Sequence, residues 1–360
     1  MSKIISPLTS EPGGIRKPYD PLQILYFSIV LTLAIIKAVI PTYGIRGSAM
    51  KILAISGGFK DGNNDAMARE ALMGAKEQGA EVEFIRLLDL DLKPCTGCIV
   101  CVSGMMRGGT GDCIIKDDLK WLDEKLFSAD GVIFAMPIFE KGVPAVMHII
   151  QDRLFGPTYD PGPCTIALKI AKETGGPGPD PRKLDRKVVS FITIGGSDWV
   201  TLASAALNLT AMTRSWKVID DIVFPWSKSI VMNDDSIAKC HTIGVNITKA
   251  AAAGPEMAKY MGQPGACPEC QSRNFYVNDN PEETICVVCG MIGELKQVDG
   301  KMAFVVPGEQ YEFSHFRMSG KFKHMSDIKQ IETELAENKK TKKYKQRMEN
   351  YKNFIQASKP

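Results

Sequence analysis

Between residues 50 and 255, short strand-like segments alternate with segments whose apolar residues recur at helical spacing. The predicted strands are residues 52–56, 81–88, 131–136, 188–194 and 218–224. The predicted helices are residues 65–78, 119–127, 146–154, 202–213 and 236–253. Because most of these strands are apolar throughout, they indicate a doubly wound parallel sheet, an α/β fold with helices on both faces.

The segments that connect these strands and helices indicate where a functional site can lie. Residues 156–181 include eleven Gly or Pro, and this composition predicts a loop insertion. In open parallel sheets, ligands bind at the carboxyl ends of the strands. The loops that follow the predicted strands are therefore the candidate places for a functional site.

The N-terminal 49 residues are a separate segment. Residues 22–40, between Pro21 and Pro41, include fifteen apolar residues in nineteen, which is long enough to span a bilayer. Because Met50 stands directly before the first strand, residues 1–49 can also be an upstream extension, native or not. A membrane anchor, such an extension and a helix buried in protein are the three alternatives.

Charge is unevenly distributed along the chain. The net charge is +3, but residues 320–360 alone carry +6, which leaves −3 for the rest. The small total gives no indication of nucleic-acid binding. The basic tail predicts a C-terminal helix that packs on the body or on a sister subunit, or that contacts an anionic membrane.

The loop from Ser56 to Asp65 leads from a buried strand into a helix. Such a loop can direct backbone N–H groups and a helix N-terminus at a phosphate group. Lys60 adds positive charge, and Asn63 and Asn64 add amide donors. The loop is neither GxGxxG nor the GKS/GKT phosphate loop, which argues against a Rossmann dinucleotide site or an ATPase. A plain strand–helix turn capped by Asn or Asp is the alternative.

This loop, the segment ADGVIFAMPIFEKGVPA at 129–145 and the pair Asp152-Arg153 resemble the flavodoxin-like NAD(P)H-dependent FMN reductase family. Within that family the chain is most similar to the iron-sulfur flavoproteins, and the resemblance covers residues 50–255. It implies a flavodoxin-like sheet that binds FMN. It also implies a homo-oligomer with flavins near the subunit interfaces.

The resemblance further implies which residues hold FMN. The loop 56–65 would hold the phosphate group, the turn 137–143 would wrap the isoalloxazine ring, and Gly195-Gly196 would flank the ring. Gly58, Lys60 and Asp65 stand where the family usually has Ser, Arg and Thr. The residues assigned to the cofactor are Ser56, Gly58, Lys60, Asn63, Asn64, Pro137, Ile138, Phe139, Glu140, Lys141, Gly142, Val143, Gly195 and Gly196.

The residue types after the third strand agree with a ring site. Pro137 ends a buried strand, Phe139 offers an aromatic surface, and Gly142 leaves room for the backbone. A flavin carries out electron transfer itself while the protein positions and tunes it. We therefore expect no catalytic side chain, and Trp199 is either near the flavin or in the core.

The first cysteine cluster is Cys95-x2-Cys98-x2-Cys101-x11-Cys113. Four soft thiolates in a loop suit an iron–sulfur cluster, and we expect a 4Fe-4S cluster at residues 95–113. The iron-sulfur flavoproteins carry a similar motif at this place, with a shorter gap before the last Cys. Free or redox-active thiols and a zinc site are the alternatives.

The second cluster is Cys267-x2-Cys270-x15-Cys286-x2-Cys289, a spacing typical of a zinc ribbon. We expect a structural Zn2+ in a small domain at residues 264–306, with rubredoxin-type iron as the alternative. Acidic residues outnumber basic ones in this segment, so nucleic acid is disfavoured as its partner. Subunit packing or docking of a redox partner fits it better.

These features predict an FMN-dependent oxidoreductase that moves electrons from NAD(P)H or ferredoxin to a small-molecule or protein acceptor. One alternative is a non-catalytic electron-transfer protein that serves a membrane or multi-subunit partner. Another is a scaffold or regulatory zinc-ribbon protein with a vestigial flavin site. CxxC units in a chain of this size are typical of a reducing compartment, so we expect a cytoplasmic location, with or without a membrane tether at 22–40.

Overall fold

The structure, a computed structural model, describes residues 49–280 and 283–358. From Ala49 onward the chain forms one compact unit. The apolar segment 22–40 lies outside the described residues, so its role stays a prediction. Within 49–280 and 283–358, no helix combines the length and the apolar character that crossing a bilayer requires.

Five parallel strands form the central sheet, in the order β2-β1-β3-β4-β5. This is the strand order of flavodoxin-like sheets, with its topological switch point between β1 and β3. The doubly wound parallel sheet predicted from the sequence is confirmed. The strands are β1 Lys51–Ser56, β2 Glu81–Arg86, β3 Gly131–Pro137, β4 Val188–Ile194 and β5 Lys217–Phe224.

Helices cover both faces of the sheet. Alternate residues of β1 enter two separate cores: Ile52 packs under α1 and α7, whereas Leu53 packs under α3, α4 and α6. Both faces are therefore buried, which explains why the strands are apolar throughout. The helices are α1 Asn63–Glu77, α2 Val100–Met105, α3 Leu119–Ser128, α4 Ala145–Leu154, α5 Pro161–Thr174, α6 Ala203–Arg214 and α7 Asp234–Ala253.

Helices α1 and α7 cross at very close range. A Cβ atom on Gly244 of α7 would lie 1.7 Å from the carbonyl oxygen of Ala71. A Cβ atom on Gly74 of α1 would lie 2.1 Å from the carbonyl oxygen of His241. Because backbone atoms occupy both places, only glycine fits at these two positions.

The predicted loop at 156–181 is wrong, because α5 occupies its centre. The Asp160 side chain caps the helix by accepting from the N–H of Gly162, and Pro161 stands at the first helical position. Gly175, at φ 72°, ends it. The Gly and Pro residues that suggested a loop are thus the start and stop signals of a helix.

Two further parts follow the sheet. Four antiparallel strands carry the second cysteine cluster: β6 Phe275–Tyr276, β7 Thr284–Cys286, β8 Ile292–Val298 and β9 Lys301–Val305. The predicted helical tail is confirmed as two helices, α8 Met318–Lys340 and α9 Lys342–Phe354. The start of α8 is fixed by buried Lys321, whose Nζ donates to Asp160 (2.9 Å) and to the carbonyl oxygens of Met212 and Thr213. The boundaries proposed for three domains (50–255, 264–306 and 320–360) stay predictions.

We expect Gly244→Ala to lower the free energy of unfolding by about 3 kcal/mol, because the added methyl group overpacks the contact between α1 and α7. Chemical denaturation measured by circular dichroism tests this. Gly104→Ala is the matched control, since, apart from its chain neighbours and its own helix backbone, no heavy atom of the described residues lies within 4 Å of a Cβ added there. It should stay within about 1 kcal/mol of the parent protein. Equal stability of the two variants would contradict the close helix crossing.

Candidate active site

Four loops meet at the carboxyl edge of the sheet, after β1, β3, β4 and β5. Backbone hydrogen bonds join each strand end to its neighbour. The N–H of Gly57 donates to Ala135 (3.0 Å), that of Ile138 to Ile194 (3.0 Å), and that of Gly195 to Phe224 (2.9 Å); each acceptor is a carbonyl oxygen. The sheet thus fixes the relative positions of all four loops at their base.

The first loop is closed from within by a buried carboxylate. Asp65 accepts from the hydroxyl of Ser56 (2.6 Å) and from the N–H of Asp61 (2.9 Å). The Ser56 hydroxyl in turn accepts from the N–H of Gly58 (3.2 Å). Arg86 lies 3.9 Å from the Asp65 carboxylate, and its own hydrogen bonds go to Asp89. Asp65 therefore fixes the shape of the loop, and both of its carboxylate oxygens accept hydrogen bonds within the loop.

Asn64 lies beneath the same loop with an unused polar atom. Its side chain is 7% exposed and packs so closely against Gly58 that a Cβ there would lie 2.8 Å from the Asn64 Cβ. The Asn64 side-chain oxygen is buried and has no hydrogen-bond partner among the residues that the structure describes. The oxygen and nitrogen of such an amide exchange on rotation, so this group can offer a donor to a ligand.

These features fit a phosphate group. Helix α1 begins at Asn63 after Gly62, which offers no side-chain cap, and a helix N-terminus favours an anion. Lys60 is exposed beside it. The Asn63 amide donates to the carbonyl oxygen of Lys228 (2.8 Å) and so ties the first loop to the loop after β5.

The second loop makes a strained two-residue turn. Phe139 and Gly142 exchange two backbone hydrogen bonds of 2.9 Å, and between them Glu140 and Lys141 have φ values of 44° and 70°. Residues other than glycine rarely adopt this left-handed region, and each costs roughly 1–3 kcal/mol. The N–H of Leu202 donates to the carbonyl oxygen of Lys141 (3.0 Å), which holds the turn against the loop after β4.

Four aromatic side chains stand exposed on these loops. Phe59, Phe139, Trp199 and Trp226 are each 59–72% exposed. The Lys141 ammonium group lies 5.3 Å from the centre of the Trp199 ring. Exposed aromatic rings gathered at one edge of a sheet are typical of a binding surface for a flat ligand. We call these four residues the aromatic rim.

Gly195 and Gly196 keep the third loop close to its neighbours. A Cβ on Gly195 would lie 2.9 Å from Val200 Cγ1, and one on Gly196 would lie 3.1 Å from Lys228 Cε. Gly195, Gly196 and the turn 137–143 were predicted from the sequence as cofactor residues. Phe59, Trp226 and Lys228 were not singled out. The available signal was position, since each of them follows a strand at its carboxyl end.

The first cysteine cluster is open. Cys95 and Cys98 are exposed, whereas Cys101 and Cys113 are half-buried. No three of these thiols are within 4.8 Å of one another among the described residues. Hydrogen bonding from the backbone N–H of Val100 lowers the pKa of the Cys98 thiol, while burial raises that of Cys101. The structure therefore does not bring these four predicted ligands together.

The two ends of that cysteine loop are clamped together. Arg153, buried on α4, pairs with Asp117 and donates to the carbonyl oxygen of Lys93 (2.8 Å) and to the Cys113 sulfur (3.4 Å). Asp117 also accepts from the N–H of Lys93 (2.9 Å). Burial lowers the pKa of the Arg153 guanidinium, but the hydrogen bonds and charges of Asp117 and Cys113 together outweigh burial and raise it.

The second cluster converges. The ligand atoms of its four cysteines lie within 4.8 Å of one another, and all four side chains are buried. The sulfur atoms of Cys267 and Cys289 are 3.6 Å apart, and those of Cys270 and Cys286 are 3.5 Å apart. This arrangement can hold one metal ion.

The flavodoxin strand order, the loop suited to phosphate and the aromatic rim define the class of flavin-binding oxidoreductases. Residues 50–229 match the family described as NADPH-dependent FMN reductase, which is half of the chain. The chain belongs to this family and is an oxidoreductase.

Several relatives resemble the chain over different lengths. A solved structure of a flavone reductase is 47% identical, with a TM-score of 0.77, over 86% of this chain and 100% of that one. A flavone synthase of Aspergillus candidus is 28% identical over 78% of this chain and 89% of its own length. An iron-sulfur flavoprotein of Methanocaldococcus jannaschii is 35% identical over 35% of this chain and 60% of its own length.

We expect Asn64→Ala to weaken FMN binding about tenfold, because a phosphate group loses a buried donor worth roughly 1.5 kcal/mol. Fluorescence titration of FMN into the apoprotein measures the change. Asn278→Ala, in the loop between β6 and β7, is the control and should bind FMN as the parent protein does. Equal affinity of both variants would remove Asn64 from the site.

Proposed function

We propose that this chain uses FMN to transfer electrons from NAD(P)H to a flat, conjugated aromatic ketone of the flavone class. The observation that carries the proposal is the 47% identity to a flavone reductase along the whole of that chain. The flavone synthase relative points to the same class of compound. The aromatic rim offers the flat surface that such a compound needs.

The chemistry balances without a further reactant. A flavone carries a carbon–carbon double bond conjugated with its carbonyl group. Reduction adds a hydride to one of these carbons and a proton from water to the other, while NAD(P)H becomes NAD(P)+. Bound FMN supplies the hydride transfer between the nicotinamide and the substrate.

The chain's own residues would bind and orient the substrate and would stabilise the charge that develops on it. The rings of Phe139 and Trp199 would stack against flat ligands and exclude water from the site. The ammonium groups of Lys141 and Lys228 would favour the negative charge that develops on the substrate carbonyl oxygen. The strained turn at Glu140 and Lys141 would set how closely the backbone approaches the isoalloxazine ring.

Turnover under anaerobic conditions tests the proposal. We expect a flavone to accelerate NAD(P)H oxidation and a dihydro product to form, as followed by absorbance and mass spectrometry. Trp199→Ala should raise KM for the flavone roughly 2- to 10-fold through loss of stacking. The control is Trp121→Ala, an exposed tryptophan on α3 outside these loops. If the protein did not oxidise NAD(P)H but exchanged electrons rapidly with reduced ferredoxin, it would be an electron-transfer protein and not an enzyme.

The metal assignments are also proposals. For the second cluster we propose Zn2+, since tetrahedral bonds of about 2.3 Å would place the sulfur atoms roughly 3.8 Å apart, close to the observed spacings. For the first cluster we propose a 4Fe-4S cluster. The clamped ends of its loop and the iron-sulfur flavoprotein relatives support this assignment.

Metal analysis of anaerobically purified protein separates the two sites. We expect Cys289→Ala to lose zinc while iron and sulfide stay, because its ligand set is the converged cluster. Cys113→Ala should lose iron and sulfide while zinc stays. If both variants lost the same metal, this division of the cysteines would be wrong.

A further inference from the structure

The two C-terminal helices, α8 and α9, extend beyond the surface of the other described residues. At the start of α8, Gly320 and Lys321 are buried on the body, but no residue of α9 is buried. A helix of 13 residues is marginal in water on its own, since isolated helices shorter than about 12–15 residues gain little from propensity. Residues 326–355, which we call the C-terminal arm, are therefore largely exposed, and within them only Leu335 and Tyr344 are half-buried.

The arm carries a narrow apolar stripe. Within each of its two helices the apolar residues are spaced three and four apart, as at the a and d positions of a heptad repeat, and Tyr344 lies nine residues after Leu335, across Thr341. Ile331 and Tyr351 are 61% and 67% exposed. A stripe of this width fits another helix, whereas a helix that lies on a membrane presents a broad apolar face. The stripe consists of Ile328, Ile331, Leu335, Tyr344, Met348 and Tyr351.

Charge divides the arm into two halves. Residues 327–337 include four acidic side chains and one lysine, for a net charge of −3. Residues 339–352 include seven basic side chains and one glutamate, for a net charge of +6. Thr341, an extended residue between α8 and α9, separates the two halves. The halves are also of nearly equal length.

A second copy of the arm satisfies both features. If two arms ran antiparallel about a two-fold axis near Thr341, the acidic half of each would face the basic half of the other. The positions that flank the stripe follow the same division, with Glu332 and Glu334 in one half and Lys345 and Arg347 in the other. Parallel arms would instead place like charges side by side.

We propose that the C-terminal arm is an assembly device that pairs antiparallel with the arm of a second copy of this chain. The pairing covers the apolar stripe of each copy and sets the −3 of each acidic half against the +6 of the facing basic half, which neutralises half of that basic charge. Assembly is then separate from the carboxyl edge of the sheet, so this inference does not depend on the proposed substrate.

Light scattering on the full chain tests the pairing. We expect Ile331→Glu to weaken assembly at least tenfold and to halve the mass of the assembly at low micromolar protein. Thr333→Glu adds the same charge two residues away, on the opposite side of the helix from the stripe, and should leave the mass unchanged. Circular dichroism shows whether both variants keep their helices. A monomeric parent protein, or an assembly that Ile331→Glu leaves intact, would overturn the proposal.

Charge exchange tests the antiparallel direction. Glu334→Arg alone and Arg347→Glu alone should each weaken assembly, and the double variant should restore it to near the parent level. Failure of the double variant to recover would contradict the antiparallel arrangement. Binding of a monomeric parent protein to phosphatidylserine vesicles, lost in Ile331→Glu, would assign the arm to a membrane surface and overturn pairing.

Discussion

The hydrogen bonding of five parallel strands is the constraint on which the site depends. It brings four strand ends to one edge, and it continues past the strands through the N–H groups of Gly57, Ile138 and Gly195. Each functional loop therefore starts from a fixed point. The loops can then be short and still meet, because the sheet has already placed their ends within reach of a common ligand.

Most of the fold could be predicted from the sequence because strands buried on both faces leave a plain apolar signal. All five strand predictions lie within two residues of the observed ends. Helix α5 was missed because Pro161, Gly162 and Gly175 were counted as loop residues, although their positions at its two ends are those of helix boundaries. Composition over a window loses this positional information.

The site shows where sequence reasoning reaches its limit. Gly195 was assigned to the flavin from the family resemblance, and the turn 137–143 from that resemblance and from its residue types; the structure places both at the carboxyl edge of the sheet. Trp226 was missed because a tryptophan in sequence is as typical of a core as of a surface. The two cysteine clusters also differ: spacing predicted both, but Cys267 and its partners lie at hydrogen-bonded turns next to short strands and converge, while Cys95 and Cys98 stand on a segment without regular structure.

The glycine contact between α1 and α7 has a mechanical consequence. Because α1 begins at the loop suited to phosphate and its backbone is in close contact with α7 at Gly74 and Gly244, we expect it to resist sliding and tilting. Movement at the site on ligand binding is therefore expected in the loops after β3 and β4, residues 138–144 and 195–202. The start of α1, which we assign to the phosphate group, would stay fixed, and the loops that we assign to the flavin ring would move.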